Sequence, residues 1–287
     1  MGNKKADTRK DKIVKKRIGK FDLYLYQSHQ LPKILKEWPL YSFNLARLVV
    51  QVQQKYSDLV VLDIGANVGD TVAIIKSAID VPIICVEGYE KYFHLLQKNV
   101  EQFDNVLTFQ YYLGDCIETV PVSFQEKRGS LALSKSTNIA EISIITLDEF
   151  VRRHPEPRAA RLIKIDTDGF DLSIIKGGMD FIHKMHPVLF FELDVDCLSL
   201  TIDEISNFFE SLIEIGYEDI VYFDNYGRFL LSNSLQNALL MQQLLKYIQG
   251  KHGRFEYYDI AVFHHMDKDI AHQFIKSEMV EPIVEHR

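Results

Sequence analysis

The chain has 287 residues, of which 47% are hydrophobic and 25% charged, a composition typical of a globular protein with a sizeable core. No stretch of about 18 consecutive apolar residues occurs, so we predict no transmembrane segment. The basic N-terminus is not followed by an apolar segment, which argues against a secretory signal. The three cysteines are scattered without metal-binding spacing, so we expect reduced thiols and a cytoplasmic location.

The net charge of −7 is unevenly distributed along the chain. Residues 1–20 contain nine Lys or Arg against Asp7 and Asp11, a local charge of +7, which leaves −14 for the rest. An acidic body argues against a nucleic-acid groove, so we predict no nucleic-acid partner. Residues 1–20 are predicted to form a solvated, disordered tail that could contact an anionic partner.

Hydrophobic patterns predict alternating strands and helices. A strand over residues 21–26 and a helix over 42–56 form an N-terminal extension, residues 21–58. From residue 59 onward, strands and helices alternate with short connections, which predicts right-handed crossovers and a parallel sheet. The later predicted strands cover residues 59–62, 81–87, 105–112, 161–166, 187–192, 217–223 and 257–263, and the helices 70–79, 89–103, 170–176, 179–185, 202–215 and 235–248.

Residues 116–147 interrupt this alternation. Two strand-like runs flank the polar segment 125–129, which predicts a hairpin inserted at the ligand-binding edge of the sheet. No internal repeat divides the chain, so we predict a single α/β domain over residues 59–265. Residues 266–287 are predicted to form a C-terminal tail.

A glycine-containing loop follows the first buried strand. The strand ends in Asp63, and Gly65 and Gly69 precede a helix, which is the unit that opens nucleotide-binding sheets. A dinucleotide site requires the pattern G-x-G-x-x-G, but Asn67 occupies the place of the middle glycine. The observed D-x-G-x-x-x-G suits S-adenosylmethionine, which has no phosphate and presents an amino-acid tail to the loop.

Two further acids follow the next strands, Glu87 after the second and Asp115 after the third. The carboxyl edge of an open α/β sheet is where ligands bind. Glu87 is therefore predicted to accept hydrogen bonds from the two hydroxyls of a ribose, and Asp115 to meet an adenine amino group. The alternative is that these acids only cap the strand ends.

Together these motifs resemble the FkbM-type S-adenosylmethionine-dependent methyltransferases. The similar segments are residues 61–69, 86–87, 113–115, 162–169, 176–178, 187–192 and 258–260. The first marks only the broad methyltransferase class, whereas the block over 162–169 is more specific. Gly88 replaces the proline that the family usually has, and Asp168 replaces a glutamate. The N-terminal extension and residues 116–147 lie outside the resemblance, and we expect them to shape the substrate pocket.

The resemblance implies a Rossmann-like α/β fold with a mostly parallel seven-stranded sheet, helices on both faces and an antiparallel last strand. It also implies S-adenosylmethionine as cofactor and methyl transfer to a hydroxyl of a sugar, glycan or related natural product. A homo-oligomer is compatible with it. The predicted cofactor-binding residues are Asp63, Gly65, Ala66, Asn67, Gly69, Glu87, Gly88, Gly114 and Asp115.

Catalysis of this reaction needs alignment of the acceptor oxygen with the methyl group and removal of the hydroxyl proton. Asp166 follows the fourth strand, with Asp168 and Glu192 nearby, and these three are the predicted catalytic residues. Asp166 is predicted to act as base or as hydrogen-bond acceptor for the hydroxyl; the alternative is a helix N-cap. The three carboxylates could instead hold a divalent cation, but we predict no metal site.

Two other functions stay open at this point. One is a nucleotide-linked oxidoreductase, which the missing middle glycine disfavours. The other is an inactive binding protein that retains the fold, which the intact set of loop glycines and strand-end acids disfavours.

Overall fold

A large sheet of buried strands organises the molecule. The computed structural model describes residues 11–127, 130–135, 140–198, 200–250 and 255–280. The strands are β1 (Ile13–Ile18), β2 (Phe21–Tyr26), β3 (Val60–Ile64), β4 (Ile83–Val86), β5 (Val106–Phe109), β6 (Tyr112–Gly114), β7 (Glu118–Lys127), β8 (Ser130–Lys135), β9 (Ala140–Thr146), β10 (Ala160–Ile165), β11 (Val188–Leu193), β12 (Tyr217–Asp224), β13 (Phe229–Ser234) and β14 (Tyr258–His264). The helices are α1 (Leu31–Glu37), α2 (Phe43–Lys55), α3 (Asp70–Ala78), α4 (Glu90–Val100), α5 (Leu147–Arg153), α6 (Asp171–Lys176), α7 (Met179–Met185), α8 (Val195–Leu198), α9 (Ile202–Glu214), α10 (Ala238–Ile248) and α11 (Lys268–Met279).

The strand order of the large sheet is β13-β12-β14-β11-β10-β3-β4-β5. The five strands from β11 to β5 are parallel to one another, and β14 lies antiparallel between β11 and β12. The predicted Rossmann-like α/β fold with a reversed last strand is therefore confirmed. The predicted count of seven strands is one short, because the chain after β12 folds back as β13 and adds an edge strand.

Helices cover both faces of this sheet. Its parallel strands are therefore buried on both sides, which explains why their sequences are continuously apolar. One face packs against α5, α6, α7, α9 and α10, with Phe150, Leu172 and Phe208 in the core. The other packs against α2, α3, α4 and α11, with Val52 and Phe274 in the core. The carboxyl ends of the parallel strands consequently meet at one open edge.

Residues 13–26, which join the end of the predicted tail to the start of the N-terminal extension, form a β-hairpin. Strand β1 pairs with β2 over all six residues, and Gly19 takes the turn at a φ of +56°. Ile18, Leu23 and Leu25 are fully buried against α3 and α4, while the charged residues between 13 and 18 face solvent. The prediction of disorder is therefore wrong for residues 11–20, because backbone pairing holds a segment whose composition is mainly charged. Residues 1–10 lie outside the described residues.

The insertion builds a second sheet with the order β6-β9-β7-β8. Strands β7 and β8 form the predicted hairpin. The predicted third strand over 105–112 is split, because β5 ends at Phe109 in the large sheet and β6 pairs with β9 in the small one.

The predicted C-terminal tail contains a helix, α11, which corrects the prediction for residues 268–279. Its apolar stripe, Ile270, Ala271 and Phe274, packs against the large sheet and α2. Arg47 on α2 donates two hydrogen bonds to the buried carboxylate of Glu278, at 2.5 and 2.7 Å. Residues 281–287 lie outside the described part of the chain.

None of the three cysteines forms a disulfide; Cys85 is buried, and Cys116 and Cys197 are exposed. No helix within the described ranges has the length and apolar character needed to cross a bilayer.

Candidate active site

The glycine loop between β3 and α3 turns tightly against its two neighbouring strands. Gly65 has a φ of +76°, and a Cβ there would collide with the carbonyl oxygen of Asp166. Gly69 has a φ of +87° and precedes α3. The N–H groups of Gly65 and Ala66 both donate to the Val86 carbonyl, at 2.9 and 3.1 Å. The loop thus adopts a backbone conformation that favours glycine, close to the ends of β4 and β10.

Glu87, directly after β4, is a buried acceptor at this loop. Its side-chain oxygens accept the N–H of Asn67 at 2.9 Å and the N–H of Tyr89 at 2.7 Å. Burial raises the pKa of Glu87 to about 7, although both hydrogen bonds favour the ionised form. Each carboxylate oxygen keeps a lone pair for a ligand hydroxyl, as the predicted ribose contact requires.

Lys164 on β10 is a buried cation that the sequence reading did not single out. Its ammonium lies 3.1 Å from Asp63 Oδ1 and 3.4 Å from Asp166 Oδ2, and it donates to the Gly65 carbonyl at 3.1 Å. Burial alone would lower the pKa of Lys164, but Asp63, Asp166 and Asp70 together raise it. Burial raises the pKa of Asp63, and Lys164 opposes this shift. Asp63 therefore acts inside the fold, through Lys164, and does not line the cavities described below.

A first cavity of about 100 Å³ opens beside Glu87. Its walls come from the ends of β3 and β4, the β6–β9 region and the loop after β10. A Cβ on Gly88 would collide with the ring of Tyr112, so the bulkier proline usual in the family would not fit beneath this ring. The cavity is lined by Ile64, Gly65, Asn67, Val86, Glu87, Gly88, Tyr92, Tyr111, Tyr112, Leu113, Ile142, Ile144, Asp166, Thr167, Asp168, Phe170 and Ile174.

Gly114 and Asp115 line a neighbouring cavity of about 210 Å³, where the N–H of Asp115 donates to Ser173 Oγ at 3.1 Å. This cavity shares Ile142, Ile144 and Phe170 with the first. The contact of Asp115 with an adenine amino group stays a prediction.

A second cavity, of about 380 Å³, adjoins the first. The two share four lining residues, Gly65, Asn67, Asp166 and Asp168, so they meet at the glycine loop and the end of β10. Part of its wall comes from the N-terminal extension, which is distant in sequence. The remaining lining residues are His29, Gln30, Leu31, Ile34, Tyr41, Asp70, Thr71, Lys164, Glu192 and Tyr257.

A buried acid, Asp171, shapes the loop after β10. Its carboxylate accepts the N–H and hydroxyl of Thr167, at 3.2 and 2.9 Å, and the N–H of Glu192 at 3.3 Å. Burial raises the pKa of Asp171 to about 6. Helix α6 begins at Asp171 and is preceded by Phe170, so the interpretation of Asp166 as a helix N-cap is wrong. Sequence reasoning missed Asp171, whose only local signal is an acid in the first turn of a helix.

The three predicted catalytic carboxylates share the second cavity. The Asp166 side chain is 52% exposed, whereas burial, with Asp166 and Asp171 nearby, raises the pKa of Glu192 well above its ordinary value. Asp259, paired with Glu192 across β14 and β11, has its pKa raised to about 7, mainly by burial. Over the ranges that the structure describes, no three His, Cys, Asp or Glu side chains are grouped to hold a metal ion.

These features fit a nucleoside that carries an amino-acid tail. The first cavity offers apolar and aromatic walls for a flat ring and the Glu87 carboxylate for vicinal hydroxyls. It is too small for a whole cofactor, since ligand cavities usually measure roughly 300–1,000 Å³. The tail of such a ligand would therefore pass Gly65 and Asn67 into the second cavity.

Several solved structures resemble this chain at low sequence identity. No curated protein matches the sequence. Similar solved structures include a precorrin-6y C5,15-methyltransferase from Geobacter metallireducens, with 14% identity, a TM-score of 0.39, and coverage of 76% of this chain and 86% of that one. A methyltransferase FkbM from Methylobacillus flagellatus has 14% identity and a TM-score of 0.38, with coverage of 72% of this chain and 44% of that one. The plantazolicin methyltransferase BamL, in complex with a triazolic desmethylPZN analog and SAH, has 10% identity and a TM-score of 0.44, with coverage of 82% and 89%.

The methyltransferase FkbM domain model matches residues 63–211, about half of the chain. The match begins at Asp63 in β3 and includes the glycine loop, Glu87 and the loop after β10. The oxidoreductase alternative is thereby set aside. The chain belongs to the FkbM family of S-adenosylmethionine-dependent methyltransferases.

Proposed function

We propose that the protein transfers the methyl group of S-adenosylmethionine to a hydroxyl of a sugar, glycan or related natural product. The observation that carries this proposal is the place of Asp166. Its half-exposed carboxylate lines both cavities, at the junction between the cofactor side and the polar second cavity. A carboxylate at that point can accept the proton that a hydroxyl loses as its oxygen is methylated.

The cofactor would be held by residues of the first cavity. Glu87 would accept hydrogen bonds from the ribose hydroxyls, and Tyr112, Leu113 and Ile142 would contact the adenine. When bound, the cofactor supplies an activated methyl group on a sulfonium. The glycine loop would direct the methionine part towards the second cavity, where Asn67 and Gly65 line both spaces.

The acceptor would occupy the second cavity. Its carboxylates, tyrosine hydroxyls and amides offer the hydrogen-bonding partners that a hydroxyl-rich molecule needs, and its volume of about 380 Å³ suits a small acceptor or one sugar unit of a glycan. We propose that the N-terminal extension, residues 21–58, serves the methyltransferase domain, residues 59–265, by forming one wall of this acceptor site.

Proton transfer in this arrangement would divide between two acids. Asp166, paired with Lys164, would accept the hydroxyl proton. Glu192, whose pKa is raised well above its ordinary value, would carry a proton and donate a hydrogen bond to a second acceptor oxygen. Asp168 lines the same space and would orient the acceptor.

The test is a turnover assay with labelled S-adenosylmethionine and a panel of monosaccharides, glycans and hydroxylated natural products. We expect Asp166→Asn to lower turnover by about 10²- to 10⁴-fold, the usual contribution of a general base. Affinity for S-adenosylhomocysteine, measured by calorimetry, should change less than twofold. Asp180→Asn, on the exposed side of α7, is the matched control.

Three results would contradict parts of this proposal. Wild-type protein that binds no S-adenosylhomocysteine would remove the methyltransferase function. Transfer only to amine or thiol acceptors would remove O-methylation. Normal turnover of Asp166→Asn would exclude that residue as the base.

A further inference from the structure

The hairpin of β1 and β2 has one packed face and one face that carries basic and aromatic side chains. Ile18, Leu23 and Leu25 are buried on the packed face. The register pairs Lys15 with Tyr24, and residues directly opposite each other in an antiparallel pair lie on the same side of the sheet. The second face therefore presents Ile13, Lys15, Arg17, Asp22, Tyr24 and Tyr26.

Helix α4 extends this second face with two lysines. Asn99, which is 1% exposed, accepts the N–H of Tyr24 at 2.7 Å and donates to the Tyr24 carbonyl at 2.9 Å, so α4 lies along the edge of β2. The Lys98 ammonium lies 3.9 Å from the centre of the Tyr24 ring, and the Lys91 ammonium lies 4.2 Å from that of Tyr26. We define the basic face as Ile13, Lys15, Arg17, Asp22, Tyr24, Tyr26, Lys91 and Lys98.

The basic face has a net charge of +3, because its four cations are opposed by Asp22 alone. The Asp22 carboxylate lies 3.7 Å from Lys15 and 3.5 Å from Arg17, whose side chains are 55% and 64% exposed. The exposed acids of α4, Glu90 and Glu101, lie about 80° around the helix from its two lysines. In the sequence, residues 1–12 add a further net charge of +3 directly before β1. A positive region thus stands on a chain whose net charge is −7.

The residue types on this face match the interfacial region of a bilayer. Lysine and arginine are attracted to anionic lipids, and tyrosine suits the headgroup level because it has an apolar body and a polar tip. Ile13 adds an apolar side chain that is 50% exposed. Acidic groups more than about 10 Å from the lipid surface are screened at about 0.1 M salt, so the acidic body does not prevent such contact.

A nucleic acid fits the same face less well. Sites for single strands combine a basic groove with open aromatic rings on which bases stack. Here lysine ammonium groups lie over both tyrosine rings, with Lys15 also 5.8 Å from the centre of the Tyr24 ring. Residues 13–26 do not line the cavities described above. The observations therefore favour a lipid surface.

We propose that the basic face docks on an anionic lipid surface. Tyr26, on this face, lies three residues before His29, which lines the second cavity. Three residues span at most about 11 Å, so docking would place the second cavity close to the lipid headgroups. The inference concerns a surface and not the reaction, so it does not depend on the proposed function.

The test is flotation of the full-length protein with vesicles of phosphatidylcholine that contain about 30% phosphatidylglycerol. Wild-type protein should bind them at about 0.1 M NaCl, dissociate at about 0.5 M NaCl and ignore vesicles of phosphatidylcholine alone. Lys15→Gln/Lys91→Gln/Lys98→Gln should lower partitioning about 100-fold, because each cation near an anionic leaflet contributes roughly fivefold. The control, with the same change of net charge at exposed sites elsewhere, is Lys184→Gln/Lys246→Gln/Lys276→Gln, which should lower it less than threefold.

The other outcomes would overturn the inference. Wild-type protein that does not bind anionic vesicles, or binds neutral ones equally, would exclude the lipid surface. An equal loss in the control variant would show that net charge, and not this face, determines partitioning. Tighter binding of a thymidine oligonucleotide than of vesicles, with the same lysine dependence, would assign the face to nucleic acid.

The measurements also separate this inference from the proposed function. Affinity of the triple variant for S-adenosylhomocysteine and its turnover of a dissolved acceptor should be unchanged. If the triple variant does not fold, Lys15→Gln/Arg17→Gln replaces it, since both side chains are more than half exposed, and the expected loss is then about 25-fold.

Discussion

The two cavities that meet at Asp166 are built in different ways. The first is mainly apolar, and its one buried carboxylate, Glu87, is satisfied by two backbone N–H groups. The second is charged, and its carboxylates Asp166 and Asp70, with Asp63 beneath the loop, depend on a single side chain, Lys164. Loss of Glu87 should therefore change only the first cavity near that residue, whereas loss of Lys164 should affect the whole second cavity.

The largest expected effect is that of Lys164→Met. Removal of the ammonium leaves Asp63 as a buried, uncompensated acid, so we expect a loss of about 3–5 kcal/mol in the free energy of unfolding. Urea denaturation measures it, with Lys184→Met on the exposed face of α7 as control. The double variant Lys164→Met/Asp63→Asn should recover part of the loss; a loss equal to that of the control would remove Lys164 as the organising charge.

A smaller, local effect is expected for Glu87→Ala. Because Glu87 would accept the ribose hydroxyls, its loss should weaken S-adenosylhomocysteine binding by about 1–3 kcal/mol. Calorimetry provides the measurement, and Glu90→Ala, an exposed acid in the first turn of α4, is the control. Unchanged affinity would show that the first cavity does not hold the ribose.

The smallest effect is a pH dependence of the same site. The pKa of Glu87 is raised from 4.5 to about 7, so the ionised acceptor is depleted below pH 7. Affinity for S-adenosylhomocysteine should therefore fall about tenfold from pH 8 to pH 6. Folding stability has the opposite sign: the native state binds the extra proton between pH 4.5 and 7, so this group's contribution decreases as pH rises through that window. Glu87→Gln should flatten both profiles; an unchanged affinity profile would assign the titration to another group.

The first cavity was largely predictable because its signals are local. The buried run of β3, the glycine spacing and an acid directly after β4 predict a parallel sheet edge with a nucleoside site. Asp166, Asp168 and Glu192 line one cavity because all three lie at the carboxyl ends of neighbouring parallel strands. The predicted third strand, in contrast, is divided between two sheets in the structure.

The other residues of the second cavity could not be predicted individually, although the N-terminal extension was expected to shape the substrate pocket. The cavity wall joins His29 and Tyr41 to Tyr257, which lies more than two hundred residues after Tyr41. The charged segment over 13–18 has no sequence pattern that predicts a strand. It forms β1 because it pairs with β2 and the hairpin packs on α3 and α4.

By itself, therefore, the sequence determined the sheet, the glycine loop and the family. The hydrophobic periodicity and the short spacings between motif residues are properties of single strand-turn-helix units, so they can be recognised without the tertiary structure. The tertiary structure alone decided that Lys164 joins Asp63 to Asp166, and that His29 faces Asn67. These contacts depend on how distant segments pack and on which charges are buried together, and neither property is encoded in a local pattern.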